Sequence, residues 1–254
     1  MKSINADVVI CGGGLSGLIC SLALSNIGIS SFCIDKSANI KKKQIDTRST
    51  AYLNPSKEFL DDIGVWKHLS KNANPLKTLS IINSSSGFPY NNIISETKFN
   101  AIEIFQDEFG WNINNNQTKK ILLELVEKDK MINFEYDEII NIKEFNETLT
   151  VYLKNKKQIN TKLLIGADGR NSFIRKNYNI NADIDCLDQK AITFLIKHEY
   201  MHTDISYEIY KTGGPFTTVP LKNDKLNTSA VVWVDNKKNI DNLLKLNKQE
   251  FNKE

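Results

Sequence analysis

Residues 7–18 read DVVICGGGLSGL, and an apolar run then continues to FCID at residues 32–35. The apolar residues before the glycines have the length of one buried strand, and the run after them has the length of a helix that ends at Gly28. A second strand follows and ends on an acid, Asp35. The order strand, glycine turn, helix and strand predicts a βαβ unit with parallel strands, and therefore an α/β fold.

The glycine turn fits the pattern G-x-G-x-x-G, in which each glycine has its own expected task. Gly12 would allow the tight turn, Gly14 would let the backbone approach a diphosphate, and Gly17 would let the helix pack closely on the strand. The diphosphate would lie at the helix N-terminus, where unpaired N–H groups favour negative charge. A flexible glycine turn in an ordinary βαβ unit is the alternative interpretation.

The acid at the end of the second strand indicates which nucleotide would bind. Asp35 has the spacing of a carboxylate that accepts hydrogen bonds from an adenosine ribose, and an acid at this point argues against a 2′-phosphate. The unit is therefore predicted to bind FAD or NAD. The predicted cofactor contacts in this unit are Gly12, Gly14, Leu15, Ser16, Gly17, Asp35 and Lys36.

The composition argues against several other classes of protein. The 254 residues are 41% hydrophobic and 25% charged, which is typical of a folded globular protein. A net charge of +3 with scattered lysines does not indicate nucleic-acid binding. The four cysteines form no CxxC pair and the three histidines are dispersed, so we predict no metal site and expect a reducing, cytoplasmic location. No apolar run approaches the length of a membrane span.

A second informative stretch, LLIGADG, occupies residues 163–169. It predicts a buried parallel strand that ends in a sharp turn, followed by a short helix over residues 172–178. Ligands of open α/β sheets bind at the carboxyl ends of the strands. Asp168 is therefore predicted to contact the bound nucleotide, and the alternative is that Asp168 and Gly169 only form a turn and a helix cap.

Beyond about residue 180 the pattern changes to alternating apolar and polar residues. It predicts a mostly antiparallel sheet with strands at residues 191–197, 205–210, 216–219 and 228–234. Aromatic side chains on these strands, Phe194, Phe216 and Trp233, line either an aromatic pocket or the core. Polar segments at residues 37–47 and 83–90 are expected to be a loop and a turn.

Four motifs together resemble one family of flavoenzymes. They are the glycine turn with Asp35, the DTRSTA segment at residues 46–51 before a helix that ends IGVW, the stretch from Gly110-Trp111 to Asn115, and the ADGRNS segment at residues 167–172 followed by Arg175. The chain resembles the class A FAD-dependent aromatic monooxygenases of the p-hydroxybenzoate-hydroxylase fold. Within that group it is most similar to the ubiquinone-biosynthesis hydroxylases.

This resemblance implies a fold and a chemistry. The implied fold is a Rossmann-like FAD-binding domain with a parallel sheet plus a substrate domain of mostly antiparallel β-sheet. The implied cofactor is FAD, which NAD(P)H reduces and which forms a flavin hydroperoxide with O2. That species would hydroxylate an aromatic ring, here a polyprenyl phenol in ubiquinone biosynthesis. Peripheral association with the inner membrane face or with a biosynthetic complex is compatible with such a substrate.

The resemblance also assigns residues. It implies that Asp168 and Gly169 contact the ribityl chain or a ribose, that Arg48 holds the flavin or the diphosphate, and that Asn115, with Gln117, contacts the ribityl chain. A surface salt bridge is the alternative for Arg48. No side chain is identified as a catalytic acid or base. The expected division is an FAD-binding domain at residues 1–72 and 105–178, and a substrate domain at residues 73–104 and 179–254.

The chain departs from the family in one respect. The family has a third motif of the form G-D-A-A-H-x-x-x-P after the substrate sheet, and nothing in the sequence matches it. We therefore expect the chain to correspond to the N-terminal part of such an enzyme. The alternatives are a flavin-dependent halogenase or a geranylgeranyl reductase on the same fold, and a catalytically silent subunit that binds a nucleotide or a partner hydroxylase.

Overall fold

The computed structural model describes residues 3–36, 46–84, 93–223 and 227–254. The strands are β1 Ser3–Asn5, β2 Val8–Cys11, β3 Ser31–Ile34, β4 Ser49–Leu53, β5 Asn74–Leu76, β6 Thr78–Ser84, β7 Ile93–Asn100, β8 Gly110–Asn114, β9 Ile132–Glu135, β10 Ile139–Phe145, β11 Thr148–Leu153, β12 Gln158–Thr161, β13 Leu163–Gly166, β14 Gln189–Lys197, β15 Ile205–Thr212, β16 Gly214–Leu221 and β17 Thr228–Asn236. The helices are α1 Leu15–Asn26, α2 Asn54–Asp62, α3 Trp66–Leu69, α4 Asn115–Lys128, α5 Phe173–Asn177, α6 Lys237–Leu243 and α7 Lys248–Phe251, with 3-10 turns at Ser70–Asn72 and Ala101–Ile104.

The chain divides into two compact units. Unit 1 comprises residues 1–45, 62–65 and 116–183, and unit 2 comprises residues 46–61, 66–115 and 184–254. Unit 2 thus includes residues 46–61, 66–72 and 105–115, which the sequence predicts in the FAD-binding domain. Within these ranges β4 and β8 pair in one sheet. The division into an FAD-binding domain and a substrate domain at the boundaries given above stays a prediction.

Unit 1 is built around a parallel sheet with the strand order β13-β2-β3-β9. The central strands β2 and β3 are apolar apart from Ser31 at the start of β3, and Val9, Ile10 and Cys33 are fully buried. Strands covered on both faces read as continuous apolar runs, which is why the sequence predicted them. A second sheet, β1-β12-β11-β10, adds a core cluster that includes Val151 and Ile159.

Unit 2 is built around a sheet with the strand order β14-β17-β16-β15-β6-β7. All of its neighbouring strands are antiparallel except the pair β15 and β6. The predicted fold class, a Rossmann-like parallel sheet together with a mostly antiparallel sheet, is therefore confirmed. The loop and turn expected at residues 37–47 and 83–90 fall mostly outside the described residues.

A small sheet, β4-β8-β5, joins the large sheet of unit 2 through a buried side chain. Asn112 of β8 is 1% exposed, and its amide donates a 2.9 Å hydrogen bond to the carbonyl of Pro220 in β16. A buried carbonyl without a donor is costly, so this bond fixes where the two sheets meet. None of the described helices has the length and apolar character needed to span a bilayer.

Replacing Asn112 should test this joint. Asn112→Ala leaves the Pro220 carbonyl buried and without its donor, so we expect the free energy of unfolding to fall by about 1–3 kcal/mol. Asn133→Ala, at an exposed asparagine of β9, is the control and should change it by less than about 0.5 kcal/mol. Urea unfolding followed by circular dichroism measures both, and equal stabilities of the two variants would contradict the prediction.

Candidate nucleotide-binding site

The glycine turn after β2 is held by close backbone contacts that only glycine permits at Gly12. This residue has φ of +111°, and its N–H donates a 2.7 Å hydrogen bond to the carbonyl of Ile34. A Cβ on Gly12 would lie 2.3 Å from the carbonyl oxygen of Ala167. The turn therefore locks the ends of β2, β3 and β13 together, and the N–H of Ala167 adds a 2.7 Å bond to the carbonyl of Cys11.

The other two glycines of the pattern have opposite surroundings. A Cβ on Gly17 would lie 1.8 Å from the carbonyl oxygen of Gly12, so the helix can approach the turn only with glycine there. A Cβ on Gly14 would meet no protein atom within 4 Å. Packing explains Gly17, whereas nothing in the protein itself requires glycine at Gly14. This difference fits a ligand that approaches the backbone at Gly14.

Helix α1 begins at this open glycine without a capping side chain. Gly14 is the N-cap residue, no side chain bonds to the first turn, and that turn contains no acidic residue. The predicted contacts Leu15 and Ser16 are its first two residues. A helix N-terminus of this kind attracts an anion through its N–H groups and its dipole.

Gly13 has a structural role that the sequence pattern does not specify. A Cβ there would lie 2.8 Å from Cβ of Asp35 and 2.8 Å from Cε2 of Phe134. Glycine thus lets the turn lie directly on the side chain of Asp35. The only sequence signal for this contact is that the three glycines are consecutive.

Asp35 is buried beside a lysine from helix α4. Its residue surface is 6% exposed, and its Oδ2 lies 3.4 Å from Nζ of Lys119, whose side chain is 24% exposed. The sequence reasoning did not identify Lys119, because a lysine on a helix has no local pattern that reveals a partner 84 positions away. Lys36, the residue after Asp35, is exposed.

Asp168 at the end of β13 caps the short helix α5. Its Oδ2 accepts hydrogen bonds from the backbone N–H groups of Phe173 at 2.5 Å and Ile174 at 3.3 Å. Burial alone would raise the pKa of Asp168, but the bonds from the Ser172 hydroxyl and from these two N–H groups outweigh it and lower the pKa below its ordinary value. The helix-cap interpretation is therefore observed.

The capping role leaves one oxygen of the Asp168 carboxylate without a hydrogen bond from the described residues. Its second oxygen, Oδ1, is buried and has no hydrogen-bond partner within the described part of the chain. Gly169, with φ of +81°, completes the turn and faces open space, since a Cβ there would meet nothing within 4 Å. A buried acceptor of this kind suits a ligand hydroxyl. The ribityl or ribose contact stays a prediction.

These residues of unit 1 surround one cavity of about 700 Å³. Its lining includes Gly12, Gly13, Gly14, Asp35, Lys36, Lys119, Ala167, Asp168 and Gly169. The structure therefore brings together most of the predicted contacts at the carboxyl ends of the parallel strands. Cys11 also lines the cavity, and burial raises its pKa to about 12, so it is a neutral thiol at ordinary pH.

Two predicted contacts, Arg48 and Asn115, lie in unit 2. The Arg48 side chain is 65% exposed and makes two 2.8 Å hydrogen bonds to the carboxylate of Asp46, so the salt-bridge alternative is observed. This pair lowers the pKa of Asp46 and raises that of Arg48. Asn115 accepts a 2.7 Å bond from the hydroxyl of Thr50. Flavin contacts of both residues stay predictions.

The aromatic side chains singled out in the sequence cluster in unit 2. The rings of Phe216 and Trp233 meet edge to face at 5.4 Å, and those of Phe194 and Phe251 at 5.3 Å. Phe251 belongs to α7, so the cluster packs partly as core against the C-terminal helix. A cavity of about 600 Å³ lies beside it. Within the described ranges no three histidine, cysteine or acidic side chains are grouped to hold a metal ion.

Comparison with known proteins decides the family. A family model described as an FAD binding domain matches residues 5–253. The chain belongs to this family. The FAD-binding-domain family confirms the predicted cofactor, FAD, and explains why the turn after β2 has the features of a nucleotide site.

Curated relatives of this FAD-binding chain include ubiquinone hydroxylases. Ubiquinone hydroxylase UbiL of Rhodospirillum rubrum is 25% identical over 98% of this chain and 56% of its own length. The 3-demethoxyubiquinol 3-hydroxylase of Escherichia coli is 22% identical over the whole of this chain and 63% of its own length. These relatives confirm the resemblance drawn from the motifs. The chain spans little more than half of the length of the relative from Rhodospirillum.

Solved structures show the same fold. PqsL of Pseudomonas aeruginosa, in a crystal structure of a mutant, has a TM-score of 0.80 at 12% identity and covers 95% of this chain and 64% of its own. HpxO of Klebsiella pneumoniae, complexed with FAD and uric acid, has a TM-score of 0.72 at 14% identity over 91% of this chain and 56% of its own. At these identities the likeness establishes the fold alone.

Two alanine substitutions should separate ligand binding from packing. Gly14→Ala should change the free energy of unfolding by less than about 0.5 kcal/mol but weaken FAD binding at least about tenfold, because its Cβ would occupy the space predicted for the diphosphate. Gly17→Ala should lower stability by about 1–3 kcal/mol, because its Cβ collides with a carbonyl. Urea unfolding and flavin titration measure the two effects. A Gly14→Ala chain that binds FAD like the wild type would contradict this assignment.

The cap at α5 predicts a dependence of stability on pH. Because the pKa of Asp168 is lowered in the folded chain, its carboxylate stabilises the fold above the ordinary aspartate pKa of about 3.9, and the contribution is lost as the pH falls through the folded pKa. Asp168→Asn should therefore be less stable than the wild type at about pH 7, and the difference should shrink below about pH 4. Thermal unfolding across this range measures it.

Asp183→Asn, at an exposed aspartate, is the matched control for this prediction. The stability of Asp183→Asn should differ little from that of the wild type across the same pH range, since a solvated carboxylate contributes little to stability. A stability difference for Asp168→Asn that is constant with pH would show that the charge of the cap has no part in it.

Proposed function

We propose that this chain carries the FAD site and the substrate sheet of an FAD-dependent monooxygenase that hydroxylates an aromatic ring. The observation that carries the proposal is the cavity of about 700 Å³ in unit 1, where an open glycine, an uncapped helix N-terminus, the buried carboxylate of Asp35 and the half-buried carboxylate of Asp168 meet. These features match the parts of a dinucleotide in the order diphosphate, ribose and hydroxylated chain. The family membership supports FAD as that dinucleotide.

The residues of unit 1 would hold the cofactor by distinct contacts. The N–H groups of Leu15 and Ser16 beside Gly14 would bind the diphosphate, since the helix start offers donors without a competing cap. Asp35 would accept hydrogen bonds from the adenosine ribose. Oδ1 of Asp168 would accept one from a ribityl or ribose hydroxyl, which would satisfy its missing partner.

Further contacts are proposed for Gly169, Lys36, Arg48 and Asn115. Gly169 would let the chain approach the cofactor closely, because its surroundings are open. Lys36 lines the cavity and would offer a cation near the ribose. Arg48 is exposed enough to exchange Asp46 for a phosphate. Asn115, whose oxygen accepts from Thr50 and whose side chain also hydrogen-bonds to Asp46, would exchange the latter bond for one to the ribityl chain.

FAD, when bound, supplies the redox chemistry of the reaction, with NAD(P)H as reductant and O2 as co-substrate. The chain's own residues bind and orient the cofactor and shape the substrate surface. We assign no residue as a catalytic acid or base. The division into an FAD-binding domain at residues 1–72 and 105–178 and a substrate domain at residues 73–104 and 179–254 is part of this proposal.

The names of the relatives suggest the substrate. The ubiquinone hydroxylases and the 3-demethoxyubiquinol 3-hydroxylase bear names that refer to ubiquinone compounds, so we propose a polyprenyl phenol of ubiquinone biosynthesis as the molecule hydroxylated. Such a substrate is apolar and would favour peripheral association of a cytoplasmic protein with a membrane or a biosynthetic complex. The 22–25% identity of these relatives supports the class of substrate without giving the ring position.

The first experiment is an absorption spectrum of the purified chain, with any released cofactor identified, followed by addition of NADH or NADPH and a phenol. We expect stoichiometric FAD, reduction of the flavin by the nicotinamide nucleotide, and O2-dependent oxidation of that nucleotide that is uncoupled from formation of hydroxylated product. Bound FAD that no nicotinamide nucleotide reduces would instead favour a silent nucleotide-binding subunit. A colourless chain that cannot be reconstituted with FAD would overturn the proposal.

A further inference from the structure

The pair of Asp35 and Lys119 suggests a role for a residue that no motif marks. Lys119 lies in the second turn of α4, and its ammonium is 3.4 Å from Oδ2 of Asp35 at the wall of the same cavity. We propose that Lys119 is a positioning residue for the adenosine ribose. It would keep the Asp35 carboxylate ionised and oriented so that this carboxylate accepts hydrogen bonds from the ribose hydroxyls. This inference rests on the proposed nucleotide-binding function.

The burial of Asp35 is the reason that it needs a cation. The residue is only 6% exposed, and the backbone of Gly13 lies against its side chain so closely that a Cβ there would be 2.9 Å from Oδ2. Burial disfavours the charged form of a carboxyl group. A protonated carboxyl would present a donor to the ribose in place of an acceptor. An ammonium within ion-pair distance counteracts this effect.

The other lysines of the cavity are less suited to this task. Lys154 pairs with Glu138 at 3.4 Å, and its side chain is 71% exposed. Lys36 is exposed and follows Asp35 directly in the chain. Of these three lysines, Lys119 forms an ion pair with Asp35 and has most of its side chain shielded from water, so its charge is the least screened of the three.

The ribose hydroxyls provide a direct test. The 254-residue chain would be titrated calorimetrically with ADP, with 2′-deoxy-ADP and with FAD. If Asp35 accepts a bond from the 2′-hydroxyl, the wild type should prefer ADP to 2′-deoxy-ADP by about tenfold. Lys119→Met should weaken ADP binding by about tenfold while changing 2′-deoxy-ADP binding less, so that the preference falls towards one.

Three further variants make the test specific. Lys119→Arg keeps a cation at the site and should restore much of the preference. Lys120→Met, at the exposed neighbouring lysine of the same helix, should behave as the wild type does. Asp35→Asn should abolish the preference, and adding Lys119→Met to it should then cause little further change, because the lysine acts through Asp35.

The outcomes distinguish this inference from the proposed function. A wild type that binds ADP and FAD, with a Lys119→Met variant that keeps the full preference, would overturn the role of Lys119 and leave the proposed function intact. If Lys119→Met weakens ADP binding by the same factor in the wild type and in the Asp35→Asn variant, the role of Lys119 is also overturned. A wild type that binds none of the three ligands would overturn both. If Lys119→Met does not fold, Lys119→Gln replaces it, and a folded Lys119→Gln that keeps the preference would overturn the inference.

Discussion

The contact between the Gly12 carbonyl and helix α1 at Gly17 holds the first helix of unit 1 directly against the turn after β2. The close approach leaves no room for a Cβ, and a second close contact ties Gly12 to the Ala167 carbonyl at the end of β13. Three parallel strands therefore end at one point. Because ligands of such sheets bind at the carboxyl ends of the strands, the same contact that closes the fold also creates the cavity.

The site contains more charge than ordinary packing would favour. Asp35 is buried, and one oxygen of Asp168 is buried without a partner in the described residues. Each carboxylate has a structural partner that offsets part of the free-energy cost of its burial. Asp35 pairs with Lys119, and Asp168 accepts hydrogen bonds from the start of α5. Polar groups that remain expensive in the folded chain are common at functional sites, where a ligand completes their hydrogen bonds.

Unit 2 is held together by a buried amide and by aromatic packing. Its large sheet is held to the small sheet by the buried amide of Asn112, and its aromatic residues pack against α7. Arg48 forms an exposed ion pair with Asp46, a type of contact that contributes little to stability. The polar joint and the aromatic cluster are thus built from contacts between residues of unit 2 itself.

The sequence by itself determined the glycine turn, the acid at Asp35, the strand before Asp168 and the change to an antiparallel sheet. These features depend on residues close together in the chain, and their periodicity and spacing can be read directly. The short strands β1, β4, β8 and β12 escaped prediction, since they contain polar residues and lack the continuous apolar runs by which the equally short β2 and β13 were recognised. Only the tertiary structure decided the contact of Gly13 with Asp35 and the pairing of Asp35 with Lys119. Those partners are far apart in sequence, and nothing local indicates which side chains burial will bring together.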